Sequence, residues 1–124
     1  LIFEAEYNRR QDLFRKNKDF LVIYKRLSEL NFPFIVLLFG SHAKGKATKH
    51  SDVDLLIICE EKRECQIQEV LDLFPLRIHA TFTNFEDFML MLKTKEFNVV
   101  SEAVKNNIIL VGIEDYYRLI KNAE

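Results

Sequence analysis

Hydrophobic positions recur every three or four residues through the first thirty of the chain. Phe3, Tyr7 and Phe14 lie near one stripe, and Phe20, Ile23, Tyr24, Leu27 and Leu30 form another. This spacing predicts helix, broken near residues 17–19, where Asn17 or Asp19 can cap a second segment. It ends at residues 31–33, because proline disfavours a helical residue before it. The pattern then changes. Residues 34–39 (FIVLLF) are continuously apolar, as a strand buried on both faces requires, and Gly40 closes the run. A polar, basic stretch follows to residue 51, then a second apolar strand over 53–59 with Asp54 near its start. Helical spacing returns over 61–74 through Ile67, Val70, Leu71 and Phe74, and Pro75 stops it. Residues 76–83 alternate, with Leu76, Ile78, Ala80 and Phe82 on one side and Arg77, His79, Thr81 and Thr83 on the other, a half-buried strand.

Phe85, Phe88, Met89 and Leu92 predict a further helix, capped by Thr83 or Asn84 with Glu86 and Asp87 in its first turn. Val100, Ala103 and Val104 suggest another helix. Residues 108–111 are short and apolar, Gly112 turns the chain, and Tyr116, Tyr117 and Ile120 mark a last helix. The order is helix, strand, strand, helix, strand, helices. It predicts an α/β (α+β) class fold, a small mixed β-sheet with helices packed against it.

Length narrows this to one domain: 124 residues leave no room for two. Eighteen Lys+Arg against nineteen Asp+Glu give a net charge of -1, so nucleic-acid binding through bulk positive charge is not expected. No apolar run approaches the roughly 18 residues that span a bilayer, and the start has no signal-peptide pattern, so no membrane partner is expected. Cys59 and Cys65 make neither a disulfide framework nor a zinc pattern, which suits a reducing cytoplasmic compartment. Cys59 is expected to pack in the core and Cys65 to face solvent. The eleven phenylalanines fall mostly on stripes and strands, as core rather than a base-stacking platform. Position 1 is Leu rather than Met, which leaves room for an upstream segment.

One stretch carries chemistry. Between the two apolar strands stand Gly40-Ser41, ten residues, then Asp52-Val53-Asp54. Glycine directly after a buried strand lets backbone approach a ligand closely. A serine opening a short helix adds a hydroxyl to exposed N–H groups, an anion site. Residues 40–51 hold no acid but do hold Lys44, Lys46 and Lys49, with Lys44 nearest the motif; His42 and His50 are expected at the surface. On a strand Asp52 and Asp54 share a face with Cα atoms about 6.5–7 Å apart. Two carboxylates about 6 Å apart repel by roughly 3 kcal/mol at an effective dielectric near 20. A hard divalent ion such as Mg²⁺ converts that repulsion into attraction and keeps places for phosphate oxygens. An anion cradle beside paired carboxylates describes a nucleoside triphosphate site.

The GS, ten residues and DxD, with AKG after the serine and SDVDLLI at the second strand, resembles the DNA polymerase β-like nucleotidyltransferase superfamily, in its small minimal nucleotidyltransferase branch. The tail over residues 85–117 is also similar to archaeal members. The resemblance implies a polymerase β-like nucleotidyltransferase fold over 1–124, with a helical segment at 1–31, a catalytic sheet core at 34–83 and C-terminal helices at 84–124. Some relatives carry a winged helix-turn-helix domain in front. It implies that Gly40 and Ser41, with Lys44 beside them, bind the triphosphate. Asp52 and Asp54 would hold two Mg²⁺ ions, with Mn²⁺ as a substitute, while an acceptor hydroxyl displaces pyrophosphate. The implied activity is a Mg²⁺-dependent nucleotidyltransferase moving a nucleoside monophosphate from a triphosphate, ATP first, to a hydroxyl on a protein or small molecule. A HEPN-type protein, as toxin to this antitoxin, or a second copy of the chain would help recognise the acceptor.

The chain departs from this pattern at one place. Active members supply a third carboxylate from the next strand, and here that strand (LRIHATFT) offers Arg77 and His79 instead. Glu86 and Asp87 follow, better placed to charge a helix start. His79 is the candidate base, histidine being the side-chain type that changes charge near neutrality. Arg77 is the candidate rival: paired with Asp52 or Asp54, it would count heavily against catalysis in that state and leave a nucleotide-binding module. A purely structural domain is the third alternative.

Overall fold

The computed structural model describes residues 2–94 and 96–123. Its strands are β1 (Ile35–Phe39), β2 (Val53–Ile58), β3 (Ile78–Thr83) and β4 (Ile108–Val111), and its helices are α1 (Ile2–Lys16), α2 (Lys18–Ser28), α3 (Glu64–Leu71), α4 (Phe85–Lys93), α5 (Val99–Lys105) and α6 (Ile113–Ala123). The strand order is β3-β2-β1-β4, antiparallel at β1/β2 and β1/β4 and parallel at β2/β3. The largely apolar strands β1 and β2 are therefore central, and alternating β3 forms an edge. This is the expected mixed sheet.

Two apolar layers follow from the period of two along each strand. Val36, Leu38, Val53, Leu55 and Ile57 meet Phe14, Phe20, Ile23, Leu27 and Ile67 on one face. Ile35, Leu37, Phe39, Leu56 and Ile58 meet Phe88, Val100, Ala103, Ile113 and Tyr116 on the other. By the same alternation, Asp52 and Asp54 continue the row of Leu56 and Ile58 and lie on the face of α4, α5 and α6.

Local signals act where expected. The Asn17 side chain caps α2 by accepting from the Asp19 N–H, and Asn84 caps α4 by accepting from the Asp87 N–H at 2.7 Å. The helix expected over 61–74 is shorter: a 3-10 turn at Glu61–Arg63 leads into α3, which ends at Leu71. Nor does Ser41 open a helix. Residues 40–45 form turns in which the Lys44 N–H reaches the Gly40 carbonyl at 3.1 Å, while the Lys46 N–H reaches the Ser41 carbonyl at 2.9 Å. Gly45, at φ +70°, turns the chain before a helical ladder can extend. Phe97, 83% exposed, departs from the expectation that phenylalanines are core. Cys59 is buried and Cys65 exposed. Among the described residues, no helix is long and apolar enough to cross a membrane.

Candidate functional site

The β1/β2 pairing places Phe39 opposite Asp54, so the turn that follows β1 returns directly over the acidic motif. Gly40 adopts φ +74°, and a Cβ there would collide with Asp54 Oδ2 and lie 3.3 Å from its Cγ. Glycine leaves room for that carboxylate in its present position, and a Cβ would turn it aside. Asp54 is thus braced against backbone, and Ser41 and Lys44 continue the turn beside it.

Asp52 is held differently. Parallel β2/β3 pairing sets His79 beside Asp54 and brings Arg77 level with Asp52. Arg77 Nε lies 3.0 Å from Asp52 Oδ1, and His79 Nε2 lies 3.2 Å from Oδ2. A second nitrogen of the guanidinium, Nη2, donates to the His50 carbonyl at 2.7 Å. The Nε contact is ionic rather than a hydrogen bond: its N–H is not aimed at Oδ1, an atom shielded from solvent that accepts no hydrogen bond. Arg77 is 74% exposed and Asp52 37% exposed, so water screens the pair and limits its worth to about 1 kcal/mol or less. Of the two arrangements open to Arg77, the structure adopts the salt bridge.

The predicted site residues therefore converge in part. Gly40, Asp52, Asp54 and His79 gather at one end of the sheet, and Lys44 is exposed on the adjoining turn. Glu86 and Asp87 do not join them. They stand in the first turn of α4, where Asp87 borders a separate cavity together with Thr81 and Leu56. His42 differs from expectation. It is half-buried, with its ring edge-on to Phe20 at 5.2 Å and its Nε2 shielded and unpartnered. Packing from α2 covers that side of the turn. His50 is exposed, and its contribution is the carbonyl that anchors Arg77.

A cavity of 600 Å³ borders the turn through Lys44 and continues along Phe97, Ser101, Glu102, Lys105 and Asn106. Neither aspartate lines it. Residue types alone gave no sign of this cavity. The hint lay in Phe97, an aromatic between Glu96 and Asn98 and outside every helical stripe.

Asp52 and Asp54 fit a hard divalent ion: both are oxygen donors on one face, and shielded Oδ1 of Asp52 lacks a hydrogen-bond donor. Among the described residues, no three His, Cys, Asp or Glu side chains form a metal-binding group. The donor set is thus two carboxylates with a guanidinium already beside one of them.

Residues 22–116 match the family described as Polymerase beta, Nucleotidyltransferase, and the chain belongs to that family. Nucleotidyl transfer is the chemistry of the class. Among curated proteins, the chain is similar to a Haemophilus influenzae protein described as "Probable protein adenylyltransferase MntA", with 44% identity over 46 residues, or 37% of this chain. The match spans 40% of that relative's length. Among solved structures it resembles one described as "Crystal structure of the toxin-antitoxin with AMP-PNP", with a TM-score of 0.53, 15% identity, and coverage of 86% of this chain and 83% of the other. That likeness is one of fold.

Proposed function

We propose that this chain transfers a nucleoside monophosphate from a nucleoside triphosphate, ATP before others, to a hydroxyl group on a protein or small molecule. The observation that carries this reading is the placement of Asp54 directly on Gly40, with Asp52 on the same face. Likeness to a protein described as an adenylyltransferase favours ATP and a protein acceptor.

Gly40 and Ser41 present backbone and hydroxyl groups to the β- and γ-phosphates, and Lys44 adds positive charge at the edge of the cavity. Asp52 and Asp54 would hold Mg²⁺, or Mn²⁺ in its place, which when bound neutralises charge on the phosphates. The acceptor oxygen bonds to the α-phosphorus, the bond from that phosphorus to the α,β-bridging oxygen breaks, and pyrophosphate departs. His79 takes the acceptor's proton, and its contact with Asp52 Oδ2 orients the ring for it. Arg77 must leave Asp52 or share it. An exposed pair of small worth permits either.

The acceptor is completed by a partner. A HEPN-type protein fits, since the neighbour in fold is a toxin–antitoxin assembly crystallised with a triphosphate analogue. A second copy of this chain is the other candidate. The Arg77–Asp52 ion pair favours one rival reading, a module that binds nucleotide and docks to its partner without turnover.

α-Labelled ATP supplied with Mg²⁺ or Mn²⁺ and the HEPN-type partner separates the two. Label transferred to protein, and lost in Asp52→Asn and in Asp54→Asn, supports the enzyme. Metal-dependent ATP binding without transfer, with transfer restored in Arg77→Asp, supports the module. Absence of nucleotide binding sinks both.

A further inference from the structure

We propose that Arg77 stands in for one of the two divalent ions expected of this fold, so that the chain binds its nucleotide with a single metal ion. This rests on the nucleotide site argued above, and it concerns how that site is charged.

Three observations carry it. The β2/β3 register sets the incoming strand directly beside the acidic motif, and the positions it offers there are Arg77, His79 and Thr81, without an acid. Two hard ions beside two carboxylates leave much positive charge for anionic ligands to balance, and this strand supplies no carboxylate. The guanidinium also has two partners at once. Nε meets Asp52 Oδ1 at 3.0 Å while Nη2 donates to the His50 carbonyl at 2.7 Å, so two of its nitrogens are engaged with the segment that carries the acidic motif. Arginine keeps its proton at every working pH, so that positive charge is permanent. The acid-poor turn behind it, with Thr48 and Ser51 closed on each other through the Thr48 N–H to Ser51 Oγ bond at 2.9 Å, holds the His50 carbonyl in position.

Arg77 therefore supplies one positive charge at Asp52, and the remaining carboxylate oxygens serve one ion. As a cation on a side chain, Arg77 cannot be removed by a chelator. The site accordingly retains part of its attraction for triphosphate when metal is withdrawn.

The test counts metal. Protein saturated with a non-hydrolysable ATP analogue is titrated with Mn²⁺, and bound ions are counted from the loss of the free-ion electron paramagnetic resonance signal. The expected result is one ion per bound nucleotide in the wild type and two in Arg77→Asp. Arg77→Glu, with a longer reach, provides a second variant, and circular dichroism checks that both fold. Two ions in the wild type overturn the inference. One ion in all three proteins overturns the role given to Arg77. If the wild type binds no analogue with any metal, the nucleotide site itself is refuted, and that outcome is distinct from either.

Discussion

Replacing Gly40 by alanine tests the contact on which the site is built, and Gly45 supplies its control. Both glycines have positive φ, +74° and +70°, so alanine at either position meets the same left-handed backbone strain, about 1–2 kcal/mol. Their surroundings differ. A Cβ at Gly45 meets nothing within 4 Å, whereas one at Gly40 collides with Asp54 Oδ2 and comes within 3.3 Å of Cγ. Asp54 must then rotate away, into a side-chain geometry that costs a further ~0.5–1.5 kcal/mol.

Gly45→Ala should thus lose about 1–2 kcal/mol and Gly40→Ala about 1.5–3.5 kcal/mol. For a chain of this size that corresponds to melting temperatures lowered by roughly 3–6 °C per kcal/mol. Binding should separate the two more sharply. Displacing Asp54 weakens Mn²⁺-dependent binding of an ATP analogue at least about tenfold, equivalent to 1.4 kcal/mol, while Gly45→Ala binds nearly as the wild type does. Thermal unfolding and fluorescence titration of a labelled analogue measure both quantities. Equal nucleotide affinity in the two variants would refute the reasoning, because the close approach of Gly40 to Asp54 would then have no part in the site.

Two further predictions concern the frame around the site. Tyr117 donates its hydroxyl to the nearly buried Glu6 at 3.0 Å, tying α6 to α1. Tyr117→Phe should cost about 1.5–3 kcal/mol in urea unfolding, because a hydrogen bond to a charged group is lost with its acceptor still sheltered. The Tyr116 hydroxyl is pushed up to about 12 from 10.0, chiefly by burial. Its contribution to stability is whole below pH 10 and is lost as pH rises through 12, because only the unfolded chain ionises readily in between. Unfolding between pH 9 and 12 should show Tyr116→Phe gaining roughly 2–3 kcal/mol on the wild type across that window. Parallel curves would contradict it.

The central strands were legible because burial on both faces leaves an unbroken apolar run, as in FIVLLF, that few other structures require. The break between α1 and α2 and the start of α4 were legible because an asparagine cap is a local event, decided within three residues. The acidic motif was legible for a similar reason: its spacing sets a shared face whatever the rest of the sheet does. What could not be read depended on distant partners. Glu6 gives no local sign that it will be sheltered beside Tyr117, 111 residues away. His42 lies in a polar stretch, and only the packing of Phe20 against it covers the ring. Whether Ser41 begins a helix or a turn depended on Gly45, a residue equally at home after either.

Arg77 shows where this boundary falls within the site. Its candidacy was visible as the missing acid of the third strand, but its pairing with Asp52 required the parallel β2/β3 register and the His50 carbonyl together. The two aspartates consequently differ in kind, although they are two residues apart. Asp54 lies against the backbone of Gly40, in the space that a Cβ there would take. Asp52 is confined by two side chains, Arg77 and His79, both mostly exposed and both able to rotate away into water at small cost. A charged ligand arriving at this site meets one carboxylate already in place and another whose partners can be exchanged. Adjustment on nucleotide binding should therefore fall on the β3 edge, at Asp52, Arg77 and His79, while the turn after β1 keeps its shape.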